Sequence, residues 1–169
     1  MTQRVFGITG WKNAGKTGLT VRLLEELTGR GHRVSTIKHA HHAFDIDHEG
    51  TDSHRHRTAG ATEVAVVSDK RWALMHELRE ENEPDLQAML ARLAPCDLVL
   101  IEGYKTQKHP KLEARRREAK SHDALSEKDP TIVAIASDYP VTNAAIPVFD
   151  LDDTVAIADF IESHTGLVR

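Results

Sequence analysis

The stretch Gly10-Trp11-Lys12-Asn13-Ala14-Gly15-Lys16-Thr17 fits the pattern G-x-x-x-x-G-K-[ST] at every fixed position. The flanking residues supply the context that the pattern needs. Val5-Phe6-Gly7-Ile8 is an apolar run that reads as a strand, and Leu19, Leu23, Leu24 and Leu27 recur afterwards at helical spacing before Gly29 and Gly31. In a strand–loop–helix unit of this kind, Gly10 and Gly15 let the backbone curl. Consecutive N–H groups, including those of Lys12, Asn13 and Ala14, then point at phosphate oxygens, with Gly18 carrying the loop into the helix. The positive end of the helix dipole adds to that field. Lys16 is expected to reach the β- and γ-phosphates, and the Thr17 hydroxyl to bind Mg²⁺. The segment therefore predicts a site for a nucleoside triphosphate.

At 169 residues the chain suffices for one α/β domain with a proper core. A net charge of -4 argues against nucleic acid as the main partner. No apolar stretch approaches the roughly 20 residues of a membrane-spanning helix, and the first strand begins too early to leave room for a signal segment. The single cysteine, Cys96, has no internal disulfide partner, which fits a reducing cytoplasm. Its place just before a buried-looking strand suggests packing rather than reactivity.

Further along, Arg33–Lys38 reads as a second strand, followed by a His-rich stretch from His39 to Gly50. Thr51-Asp52-Ser53 offers N-cap residues for a short helix ending near Gly60. Thr62–Val67 and Arg71–His76 flank the turn Ser68-Asp69-Lys70 and must pair antiparallel, because a three-residue connection cannot make a parallel crossover. Pro84 suits the first turn of a helix reaching about Leu93. Leu98–Ile101 is a continuous apolar run between Asp97 and Glu102, the mark of a strand covered on both faces. Ile132–Ala136 and Ile146–Phe149 are further strands, and Asp152–His164 is an amphipathic helix ended by Gly166. The charged segment Lys105–Asp129 carries no helical apolar stripe and reads as a surface excursion holding one short strand at Lys111–Arg115. The expected fold is a single α/β domain of the P-loop NTPase type, spanning residues 1–169. It has a mostly parallel, doubly wound sheet, helices on both faces and an antiparallel hairpin extension.

Ligands of an open parallel sheet sit at the carboxyl ends of its strands. Glu102 ends its strand on that edge. Asp97 lies five residues earlier, roughly 16 Å away at ~3.3 Å per residue. Glu102 is therefore the candidate acid for holding the Mg²⁺ water shell or orienting the attacking water, and Lys16 and Glu102 form the candidate catalytic pair. Thr17, Glu102 and Asp47 are the candidate metal-site residues; Asp45 and Asp47 both follow the second strand on the same edge. Asp138, in Ala136-Ser137-Asp138, could accept hydrogen bonds from guanine N1 and N2, although no Asn-Lys-x-Asp motif occurs in the chain. His39, His41, His42, His48, His54 and His56 crowd into eighteen residues. Such a cluster favours zinc, copper or nickel, but no cysteine lies nearby and the spacing is not a zinc pattern. The basic residues Lys105, Lys108, Lys111 and Arg115–Arg117 are either solvated or face a phosphate-bearing ligand or acidic partner.

Several of these segments occur together and in order: Gly10–Thr17, Lys38-His39-Ala40-His41-His42, Phe44-Asp45-Ile46-Asp47, Asp52-Ser53, Arg71-Trp72-Ala73-Leu74-Met75, Leu100–Lys105, Pro110-Lys111-Leu112-Glu113 and Ala136-Ser137-Asp138. The set resembles the molybdopterin-guanine dinucleotide biosynthesis protein B (MobB) family. The resemblance implies a small cytoplasmic GTP-binding homodimer with Mg²⁺ as cofactor and weak GTPase activity. It further implies an adaptor for the nucleotidyltransferase that attaches GMP to molybdopterin, with molybdopterin itself a candidate ligand and no nucleic acid or membrane partner. Two departures stand out: Gly18 replaces a hydroxyl residue often seen after the loop threonine, and Lys12 lies one position later than the signature lysine of related dimeric P-loop ATPases. Other readings stay open, namely a GTP-dependent, nickel-type metal-insertion chaperone and a small-molecule kinase. The hairpin, with Trp72, Leu74 and Val66, is the expected dimer contact.

Overall fold

A computed structural model describes residues 3–40 and 44–167. The apolar strand ahead of the glycine-rich loop is β1 (Val5–Thr9), and α1 (Lys16–Gly29) follows the loop. Then come β2 (Val34–Lys38), α2 (Asp52–Thr58), the hairpin β3 (Glu63–Val67) and β4 (Trp72–His76), α3 (Leu86–Arg92), β5 (Leu98–Glu102), β6 (Lys111–Arg115), β7 (Ile132–Ser137), β8 (Val148–Asp150) and α4 (Thr154–Thr165). The chain divides into two compact units, one of Met1–His39 with Leu86–Arg169 and the other of Ala40–Asp85.

The first unit holds a six-stranded sheet in the order β2-β5-β1-β6-β7-β8. Every neighbouring pair is parallel. The alternation of side chains explains the continuous apolar run of β5. Leu98 and Leu100 pack with Phe6, Ile8 and Leu112 against Leu19, Leu23 and Leu27 of α1 and Ile157 and Ile161 of α4. Val99 and Ile101 face the other way and pack with Ile37 against Leu86 and Leu90 of α3. Both faces are therefore covered, as the sequence predicted. Asp153 caps α4 by accepting from Ala156 N at 3.0 Å, and Gly166 closes that helix in the left-handed conformation.

The segment read as a surface excursion is different in kind. Its strand β6 is an interior strand, hydrogen-bonded to β1 on one side and β7 on the other. Lys111 and Glu113 are each only 1% exposed. Lys111 Nζ donates to Gln107 O at 2.7 Å and Thr131 Oγ1 at 2.5 Å, and pairs with Asp129 at 3.1 Å. Glu113 accepts from Leu125 N at 2.9 Å, Ser126 N at 3.0 Å and Arg115 Nη2 at 2.8 Å. Burying these charges is tolerable because each is fully hydrogen-bonded. The alternating charges of Lys111, Glu113 and Arg115 imitate a half-exposed strand. The covering comes from residues on both sides of β6, including one 3-10 turn at Leu125–Glu127.

The second unit contains α2 and the β3–β4 hairpin. Thr51 caps α2, its Oγ1 accepting from His54 N at 3.3 Å. Arg57 ties the unit together, with Asp45 at 2.8 Å, Asp47 at 3.3 Å and Glu77 at 2.8 Å. Among the described residues no helix is long and apolar enough to cross a membrane.

Candidate functional site

The Gly10–Thr17 loop leaves the centre of the parallel sheet at the carboxyl end of β1. Its backbone adopts conformations that few side chains permit: φ is 146° at Gly10, 66° at Asn13 and 84° at Gly15. At Gly10 the constraint is doubled, because an added Cβ would stand 2.5 Å from Ala114 O. Gly15 is the N-cap of α1 and brings no side-chain capping bond. The first-turn N–H groups are thus left to an external acceptor, as anion sites at helix N-termini require.

The side chains converge on the same place. Lys16 Nζ donates to Gly10 O at 3.1 Å and Trp11 O at 2.8 Å, folding back along the loop. The Thr17 hydroxyl donates to Glu102 Oε1 at 3.0 Å. Glu102 faces Ile8 across the β1–β5 register and Lys38 across β2–β5. Lys38 Nζ is 3.6 Å from Glu102 Oε1. Burial pushes the Lys16 ammonium below its ordinary pKa; Glu102 opposes this, while Lys105 and Lys38 add repulsion. A polyphosphate would neutralise those three cations together. A hydroxyl and a carboxylate are hard oxygen donors of the kind Mg²⁺ takes, so Thr17 and Glu102 are the residues that would hold it.

The loop is also clasped by the chain on either side of β6. Trp11 Nε1 donates to Asp123 O at 2.8 Å, Lys105 Nζ stands 4.7 Å from the centre of the Trp11 ring, and Lys120 N donates to Lys12 O at 3.0 Å. Sequence reasoning did not find these contacts, because the loop pattern assigns no role to Trp11.

Of the residues predicted from sequence, Gly10, Lys12, Asn13, Ala14, Gly15, Lys16, Thr17 and Gly18 lie in the loop and the first turn of α1, and Glu102 joins them. Ala14 is buried beneath the loop, whereas the Lys12 side chain is exposed. Asp97 caps the start of β2, accepting from Arg33 N at 2.7 Å. Asp138 follows β7 on the ligand edge, but its Oδ1 accepts from Arg117 N at 2.9 Å and Arg116 Nε lies 3.8 Å from Oδ2. Its carboxylate supports the Arg116-Arg117 turn. Asp47 belongs to the second unit, where it accepts from Thr51 Oγ1 at 2.9 Å and Ser53 Oγ at 2.9 Å and pairs with Arg57. Those partners hold its carboxyl below the usual range, against the opposing effect of desolvation. Among the described residues, no group of three or more His, Cys, Asp or Glu is arranged to hold a metal ion. His41 and His42 lie outside the described residues.

The sequence profile described as molybdopterin guanine dinucleotide synthesis protein B matches residues 5–138. The molybdopterin-guanine dinucleotide biosynthesis adapter protein of Escherichia coli is 37% identical over 159 residues, covering 93% of this chain and 90% of the relative. The protein of the same description from Haemophilus influenzae is 39% identical over 159 residues, covering 94% and 88%. The crystal structure of a MobB homologue from Bacillus stearothermophilus superposes with a TM-score of 0.72 at 29% identity, covering 96% of this chain and 97% of that one. The Bacillus subtilis MobB structure gives 0.74 at 27% identity, covering 96% and 98%. With the Gly10–Thr17 loop at the head of a parallel sheet and this likeness along nearly its whole length, the chain belongs to the molybdopterin guanine dinucleotide synthesis protein B (MobB) family.

Proposed function

We propose that the chain is a GTP-binding adapter of molybdopterin guanine dinucleotide biosynthesis, working in the cytoplasm as a homodimer beside the nucleotidyltransferase that joins GMP to molybdopterin. The observation that carries the nucleotide part is the Thr17–Glu102 contact at 3.0 Å, set against the backbone cradle of Gly10–Lys16. In this reading the loop N–H groups and Lys16 hold the β- and γ-phosphates. Thr17 and Glu102 hold Mg²⁺, which supplies charge neutralisation at the phosphates when bound. Lys38 keeps the Glu102 carboxylate oriented. Hydrolysis is weak, because Glu102 is drawn toward Thr17 and Lys38 rather than toward an attacking water.

The adapter part rests on the relatives, which carry that description at 37–39% identity. Dimerisation is supported by the apolar hairpin of the second unit, where Trp72 is 71% exposed and Leu74 50%. The decisive experiment titrates GTP and ATP, each with and without Mg²⁺, into the protein alone and with the nucleotidyltransferase. Mg²⁺-dependent GTP binding together with a stable complex with the transferase is the expected result. Absence of triphosphate binding in a folded protein would overturn it.

A further inference from the structure

The chain leaving β5 reverses through a conformation that most side chains resist. Gly103 has φ 97° and Tyr104 φ 48°, so two consecutive residues lie in the left-handed region. An added Cβ at Gly103 would stand 3.1 Å from His39 Cβ and 3.2 Å from His39 O, so the turn also runs close against the end of β2. Gln107 N donates to Tyr104 O at 3.1 Å and completes the reversal. A non-glycine residue held at positive φ stores strain of the kind that clusters at ligand sites. What the turn achieves is the placement of Lys105. Its ammonium is carried back over the Gly10–Thr17 loop, 4.7 Å from the centre of the Trp11 ring. Trp11 is itself held at two further points: Nε1 donates to Asp123 O at 2.8 Å, and its carbonyl accepts from Lys16 Nζ at 2.8 Å. Two cations thus rest on one residue, Lys16 on the carbonyl and Lys105 on the ring. Beside burial, which acts most strongly, the Lys105 charge helps to hold Lys16 below its ordinary pKa. Among the described residues the Lys105 ammonium has neither a hydrogen bond nor an ion pair, so the indole face alone holds it.

We propose that Lys105 reads the terminal phosphate of a bound nucleoside triphosphate. Its ammonium leaves the Trp11 ring for the γ-phosphate, and that contact sets a preference for triphosphate over diphosphate. The inference rests on the nucleotide-binding reading above and assigns it a further residue. Position supports it first. Lys105 follows Glu102 by three residues, and a Mg²⁺ held by Glu102 bridges the β- and γ-oxygens. Lys16, whose role is to reach the β- and γ-phosphates, extends from the first turn of α1 back to Trp11 O. Trp11 therefore marks the end of the cradle where the terminal phosphate would lie. Strength supports it next. A cation over a half-exposed indole is weakly held, whereas an ammonium on a phosphate oxygen makes a charge-assisted hydrogen bond. A diphosphate stops short of that place and leaves Lys105 on the ring.

The test measures calorimetric binding of GTP and GDP, each with Mg²⁺, to the parent, Lys105→Met and Lys105→Arg, with tryptophan emission recorded in parallel titrations. Methionine keeps the apolar stem and removes the charge, whereas arginine keeps the charge. Lys105→Met is expected to weaken GTP about 10- to 150-fold and GDP less than about threefold. Lys105→Arg should recover most of the lost preference. In the parent, GTP but not GDP should change the Trp11 emission, a signal absent from Trp11→Phe and much reduced in Lys105→Met. GTP and GDP affinities of Lys105→Met within about twofold of the parent overturn the proposal. An equal loss of both nucleotides overturns it too, because a residue that only steadies Trp11 and the loop would act on both alike. A Trp11 signal of parent size in Lys105→Met would mean that Lys105 never leaves the ring. If the folded parent binds neither nucleotide, the nucleotide-binding reading has failed and the Lys105 assignment falls with it. If the parent binds GTP and Lys105→Met binds it as tightly, the Lys105 assignment falls alone.

Discussion

Thr17 Oγ1 donates to Glu102 Oε1 at 3.0 Å, joining the last residue of the loop pattern to the last residue of the strand beside β1. The pair is separated by 85 positions in the chain and brought together because β1 and β5 are parallel neighbours in register. Glu102→Gln keeps the shape and the hydrogen-bonding reach but removes the charge that would face Mg²⁺ in the proposed site. Mg²⁺-dependent hydrolysis should fall at least about tenfold, with nucleotide affinity reduced far less. Single-turnover hydrolysis and equilibrium binding measured on the same preparation check this; unchanged turnover would remove Glu102 from the metal.

Lys16→Ala should abolish tight triphosphate binding and leave the fold intact. Among the described residues its ammonium donates only to the loop carbonyls of Gly10 and Trp11, so the core loses nothing. One charged hydrogen bond is worth about 1.5–3 kcal/mol, roughly 10- to 150-fold in affinity, and Lys16 would make more than one to a triphosphate. Calorimetric titration beside circular dichroism separates the two effects. Parent-like affinity in a folded variant would refute the loop's role.

The loop, its two flanking elements and Glu102 were legible because each rests on local chemistry: a fixed glycine spacing, a helical leucine stripe, and a doubly buried strand with an acid at its end. The interior position of β6 was not legible. Lys111 and Glu113 look solvated until Gln107, Leu125, Ser126, Asp129 and Thr131 come to meet them, and those partners are set by the covering loops rather than by any periodicity. Asp138 was placed at the correct strand end, but the engagement of its carboxylate by Arg117 N depends on a turn that the sequence does not announce. For the hairpin, strand pairing was readable while the division of faces was not fully used. Trp72 pairs with Val67 and Leu74 with Ala65, so Val66, opposite Ala73, points to the other face.

Stability should decline on mild acidification because of His109. The ring is 5% exposed and neither nitrogen has a hydrogen-bond partner among the described residues. Burial, reinforced by Lys111 and opposed by Asp129, holds its pKa down at about 4. The unfolded chain titrates near 6.5 and so binds more protons between the two values. The stabilisation is present above about pH 6.5 and is lost as pH falls toward 4. Between pH 7 and 5 this amounts to ~2 kcal/mol. His76, raised by its hydrogen bonds to Glu63 and Glu81, acts in the opposite sense but is common to parent and variant. Urea denaturation of the parent and His109→Leu at the two pH values isolates the effect. Equal pH slopes in the two proteins would mean that His109 does not titrate in this range.

The final prediction concerns assembly. One face of the hairpin carries Val67 at 74% exposure, Trp72 at 71% and Leu74 at 50%; the other carries Val66 at 46%. A two-stranded ribbon with apolar side chains on both faces and open edges is marginal alone in water. It also presents a template for pairing with another chain. A second copy related by a two-fold axis would cover the same residues on both partners at once, as a C₂ interface demands. Leu74→Glu puts a charge at the middle of the larger face, directly opposite Ala65, where burial in an interface would cost several kcal/mol. Sedimentation velocity at micromolar concentration should give a dimeric parent and a folded, monomeric Leu74→Glu. Val66→Glu should weaken the dimer as well if both faces are covered, and leave it intact if only the Trp72 face is used. A parent that sediments as a monomer would end the hairpin interface as an explanation for the exposed tryptophan.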